Sequence, residues 1–127
     1  MSGLKTMIAA GAVICGMSGA APAHDDLAYT FAECAGRFSA EMEHAWLMND
    51  PGASDIAADR SSFVMLTSAT MAPNDGRSIL SHRIDVKLAH AALLQQATFG
   101  TTPARARSAQ KVAQRHIATC RTLLLGS

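Results

Sequence analysis

The stretch LAYTFAECAGRFSAEMEHA, from Leu27 to Ala45, carries the clearest pattern in the chain. At about 100° per residue, Leu27, Phe31, Cys34, Phe38, Met42 and Ala45 fall within one narrow arc. That is the apolar stripe of an amphipathic helix. A second stripe lies toward the other end of the chain: Ala106, Ala109, Ala113, His116, Ile117, Cys120 and Leu124. Cys34 and Cys120 sit near the centres of the two stripes. Their thiols therefore face a core rather than solvent, as an interhelical disulfide requires.

Three groups of breakers divide the rest. Asn49-Asp50-Pro51-Gly52, Pro73-Asn74-Asp75-Gly76 and Gly100-Thr101-Thr102-Pro103 are turn sequences, and they leave four segments of helical length. Thr102 before Pro103 reads as an N-cap and first helical residue, Ser54 and Asp55 can start the second helix, and Gly126 suits a C-terminal stop. The second helix has a broad apolar surface (Ile56, Ala57, Phe63, Val64, Leu66, Met71). The third is apolar around most of its circumference. Aromatic residues make up only 5% of the chain, and β-branched residues are sparse, which disfavours a β-domain. The expected fold is all-α: one up-down-up-down four-helix bundle, with sequential helices as antiparallel neighbours. In that topology the start of the first helix and the end of the last lie at one pole, so the two cysteines come level. Closing a loop of 86 residues contributes ~4 kcal/mol in the chain-entropy model.

Residues 1–23 read as a cleaved signal peptide. Lys5 is their one charge, an uncharged stretch runs from Thr6 to Ala23, and Ala21-Pro22-Ala23 fits the small-x-small cleavage pattern. Lipidation at Cys15 fits poorly, because bulky Ile14 precedes it. Residues 24–127 form the bundle domain, placed in the periplasm or outside the cell. No stable membrane insertion is expected after cleavage. Two cysteines remaining in an oxidising compartment form one bridge.

The formal net charge of +1 excludes a basic nucleic-acid binder. The charge is unevenly spread. Residues 24–76 hold nine acids and two bases, a net −7; residues 77–127 hold eight bases and one acid, a net +7. The simpler explanation is that the two hairpins complement each other. The alternative is a basic face for an acidic partner or an anionic surface.

Few constellations carry chemistry. After cleavage His24 is the first residue, and its α-amine and imidazole could chelate copper, with a second histidine completing the site. Glu41 and His44 have the Glu-x-x-His spacing of di-iron bundles, but no second copy exists, so both are read as a solvated face. Covalent haem needs Cys-x-x-Cys-His, which is absent. For non-covalent haem, levelling the helices on the bridge sets His116 against Phe38 and Met42 against Val112, about one turn apart. No cofactor is expected. His116 is placed at the core edge, hydrogen-bonded to a neighbouring helix, and His90 as partly exposed. There is no Gly-x-Ser-x-Gly, no phosphate loop and no His-Glu-x-x-His, and bridged cysteines are not nucleophiles. The expectation is a non-enzymatic interaction or accessory protein that binds another exported protein or itself. Its contact surface is either the apolar ring of the third helix (Ile79, Val86, Leu93) or the end of the first helix at Trp46 and Met48.

Overall fold

The computed structural model describes residues 24–126, with His24 and Asp25 described by backbone alone. The leader and its cleavage site lie outside the described residues. Four helices follow one another: α1 (His24–Leu47), α2 (Ala53–Thr70), α3 (Gly76–Phe99) and α4 (Pro103–Leu125). They alternate in direction, and no strand occurs among the described residues.

The turns fall where their residue types place them. Asn49 has φ 53°, a left-handed conformation that asparagine tolerates, and the Asp50 amide then closes back on the Ala45 carbonyl at 2.8 Å. The Asp50 carboxylate accepts the Gly52 amide at 2.8 Å. The expected hydroxyl caps are not made. Thr102 is the N-cap of α4 but its side chain bonds no helix amide, and α2 starts at Ala53 from Gly52, one residue ahead of Ser54. Pro103 at the first helical position needs no cap for its own nitrogen.

The helices are not arranged as a simple ring. α1 packs on α2 and on α3 and touches α4, while α3 packs on α4; α2 and α3, neighbours in sequence, form no extended contact. α1 is central because it has two buried faces. One is the large-residue stripe of the sequence: Cys34 and Phe38 meet Phe63 of α2 and Ile117 and Cys120 of α4, with Phe38 and Phe63 stacked at 5.6 Å. The other is a row of small residues four apart. Ala28 and Ala32 pack on Ile79, and Ala40 on Leu94 of α3. Between them, a methyl group on Gly36 would stand 2.5 Å from the Arg83 carbonyl oxygen. Glycine inside a helix costs about 1 kcal/mol relative to alanine. Here it permits two parallel helices to approach backbone to backbone.

Cys34 and Cys120 are bonded, with Cα atoms 5.6 Å apart and both residues buried. The bridge joins α1 to the C-terminal half of α4, at the level the topology predicted.

Candidate functional site

The α1–α3 seam is lined with polar pairs. Parallel packing sets residues of α1 level with residues about 49 further on. Tyr29 donates to Ser78 at 3.0 Å, His82 lies 3.0 Å from Glu33, and His90 lies 2.8 Å from Glu41. Lys87 donates to Glu43, and His44 meets Thr98 at 3.1 Å. The reading of Glu41 and His44 as a solvated face is therefore corrected. Both reach α3, because that helix lies alongside α1 and not diagonally across from it.

His90 is also corrected: it is 2% exposed. Its Nε2 faces a carboxylate, which can only accept, so Nε2–H donates. Its Nδ1 is buried and has no partner among the described residues. The ring of His116 lies against it, with centroids 5.9 Å apart, instead of facing Phe38. His116 makes no hydrogen bond among the described residues. Burial lowers its pKa below the usual imidazole value, helped by Arg37, His90 and Arg115, while Glu33 acts in the opposite sense. Met42 is turned away from α4, into the cleft between α2 and α3.

The expected contact residues separate into two groups. Ile79 is buried in the α1–α3 core at 3% exposure, and Val86 and Leu93 are half-buried. The apolar residues that α3 turns outward are Leu80, Ile84 and Leu88, one row at four-residue spacing. At the end of α1, Trp46 and Met48 are exposed together with Leu47. Phe99, 59% exposed, closes the parallel helix α3 at the same pole, next to the Thr98–His44 contact.

The uneven charge is met only in part inside the molecule: of the eight bases in residues 77–127, two, Lys87 and Arg121, pair with acids of the other half among the described residues. Acids of α1 meet His82, Lys87 and His90 of α3, and Asp59 of α2 meets Arg121 of α4 at 3.2 Å. Arg107, Lys111 and Arg115 remain exposed on the outer face of α4. A groove of about 570 Å³ runs between α4 and the α1–α2 pair, floored by Phe38, Ile56 and Ile117. Among the described residues no three metal-ligating side chains converge. The His24 imidazole lies outside the described side chains.

Two features escaped the sequence reading: the buried Glu41–His90 pair, and the closeness of Arg60 to Arg83 across α1. The alanines and glycine at positions 28, 32, 36 and 40 were the available signal, since they mark a second buried face of α1. Compared with protein-family models, curated proteins and solved structures, the chain matches none.

Proposed function

We propose that this is an exported, non-enzymatic helical-bundle protein that acts as an interaction or accessory subunit for another exported protein. The observation that carries the reading is the apolar pole. Trp46, Leu47, Met48 and Phe99 are large, exposed and gathered where the parallel helices α1 and α3 end. Large apolar side chains concentrated at one place on a small domain mark contact surfaces, and tryptophan is a frequent anchor. Export is supported by the disulfide and by the small-residue stretch before His24. The non-enzymatic reading is supported by the engagement of both described cysteines in the bridge, which removes the thiolate as a nucleophile.

Trp46 is the single tryptophan of the chain and reports on its own surface. A photo-crosslinker at Leu47 is expected to give one discrete adduct in the exporting cell. Combining Trp46→Ser with Met48→Ser should abolish that adduct and shift stability by no more than ~0.5 kcal/mol, since both side chains are exposed. An adduct with a second copy would reassign the pole to self-association. A strict monomer with no adduct would sink the reading.

A further inference from the structure

Because α2 and α3 do not pack together, a cleft opens between them over α1. It encloses about 190 Å³, and its lining includes Ser39 and Met42 of α1, Arg60 of α2, and Leu80, Arg83 and Ile84 of α3. Its charge balance is unusual. Arg60 is one of two bases in a half of the chain that holds nine acids, yet among the described residues it forms no ion pair; its Nε donates to the buried Ser39 hydroxyl at 2.9 Å. That hydroxyl in turn donates to the Ala35 carbonyl, so the Arg60 stem is held in place. Arg83 is half-buried and has neither an ion pair nor a side-chain hydrogen bond among the described residues. Lys87 and Glu43 also border the cleft but neutralise each other. Two guanidinium groups thus share a concave site whose one lining carboxylate, Glu43, is paired with Lys87 and not with either of them.

We propose that this cleft binds an oxyanion carried on an apolar chain, with Arg60 and Arg83 holding the headgroup and the Leu80–Ile84–Leu88 row holding the chain. Guanidinium groups offer planar paired donors that match phosphate and carboxylate oxygens. An anion between the two arginines turns their mutual repulsion into shared attraction. Burial, and secondarily the field of Arg60, depress the pKa of Arg83, in keeping with a cation that lacks its counter-charge. The apolar part of the ligand follows from Leu80 and Ile84, which line the same cleft and are about half exposed. Leu88 continues their row by one turn. The site lies on the flank of the bundle, with Met42 and Glu43 one helical turn before Trp46, and stands independently of the function proposed above.

The test is titration of the disulfide-bonded protein with octyl phosphate, followed by calorimetry and amide chemical shifts. Saturable binding of one molecule is expected, with shifts centred on Ser39, Arg60 and Arg83. Inorganic phosphate should compete only at ten-fold or higher concentration, and octyltrimethylammonium should not compete. Arg83→Gln and Arg60→Gln are each expected to weaken binding at least ten-fold, while Arg107→Gln on α4 leaves it unchanged. Arg83→Gln removes an uncompensated charge, so its melting temperature should equal or exceed that of the parent, which separates lost binding from lost folding. Cosedimentation with phosphatidylglycerol vesicles that Arg83→Gln abolishes would identify a bilayer headgroup as the source of the anion. Binding to the monomeric amphiphile alone would identify a free ligand. The proposal is overturned by absence of saturable binding, by parent-like affinity in both arginine variants, or by an equal loss in Arg107→Gln.

Discussion

His90 shows how a residue's role depends on what its neighbours can accept. Its Nε2 proton is committed to Glu41, and the ring is sealed between α1, α3 and His116. Removing the acceptor strands a buried donor, which costs about 1–3 kcal/mol. Glu41→Leu should therefore lower urea-unfolding stability by about that amount, and Glu41→Gln, which keeps an amide oxygen, by less. Equal losses in the two variants would show that the hydrogen bond contributes nothing. His116 supplies a pH dependence with a definite sign. Its folded pKa lies below the unfolded value of about 6.5, so the unfolded chain binds the proton more readily. Its contribution is fully present above the unfolded value. It falls as the pH drops from about 6.5 toward the folded pKa, and levels off below that. The charged groups that oppose its protonation are Arg37 of α1, His90 of α3 and Arg115 of its own helix, with Glu33 opposing them. His116→Gln should flatten stability across that window, measured by denaturant unfolding at stepped pH; an unchanged slope would exclude His116 as its source. None of this was legible from composition. A histidine scores as polar wherever it stands, and only the parallel register of α1 and α3 places Glu41 level with His90.

Among the elements, α1 decides the architecture, and half of its reason was legible. The stripe through Phe31, Cys34 and Phe38 stood out because large apolar side chains dominate any hydropathy pattern. The opposite face, Ala28, Ala32, Gly36 and Ala40, did not, because alanine and glycine contribute little area and no contrast. Yet that face brings α3 against α1 and excludes α2–α3 contact. The error on α3 follows: with α1 as its neighbour, Ile79 turns inward, and the outward row shifts to Leu80, Ile84 and Leu88. The same displacement opens the cleft that holds Arg60 and Arg83, which charge totals by sequence half could not show. Gly36→Ala tests the account directly. In an isolated helix the change stabilises by about 1 kcal/mol. Here the new methyl group meets a backbone oxygen, which cannot rotate away, so the helices must separate. The expected result is a loss of about 1–3 kcal/mol, read from thermal or denaturant unfolding. A gain in stability would mean that the close approach does not exist in solution.

For the whole molecule, the disulfide decides what remains folded under stress. The turns, the alternation of direction and the level of the two cysteines were all legible, because breakers and stripes are local signals and topology follows from short connections. What the bridge holds is clear only from the contacts. α4 packs chiefly along α3, and its C-terminal half reaches α1 and α2 through Ile117, Cys120 and the Phe38–Phe63 stack. Reduction releases an 86-residue loop closure, a loss of ~4 kcal/mol in the chain-entropy model. That is a large part of the 5–15 kcal/mol typical of a domain. The loss should not be uniform. α1 keeps α2 and α3 through its two buried faces, and the more exposed His82–Glu33 and Lys87–Glu43 pairs along the seam contribute little either way. The segment 117–125 loses its covalent tie and keeps Ile117, Leu123, Leu124 and the contacts of Arg121 with Asp59 and the Phe38 ring. Hydrogen exchange of the reduced protein should therefore accelerate first and most in residues 117–125, next in the facing turns of α2 around Phe63, and least along the α1–α3 seam. Uniform acceleration over all four helices would show instead that the bundle opens as one unit, with the bridge acting only on the unfolded chain. If the seam exchanged before residue 117, the central placement of α1 would be wrong.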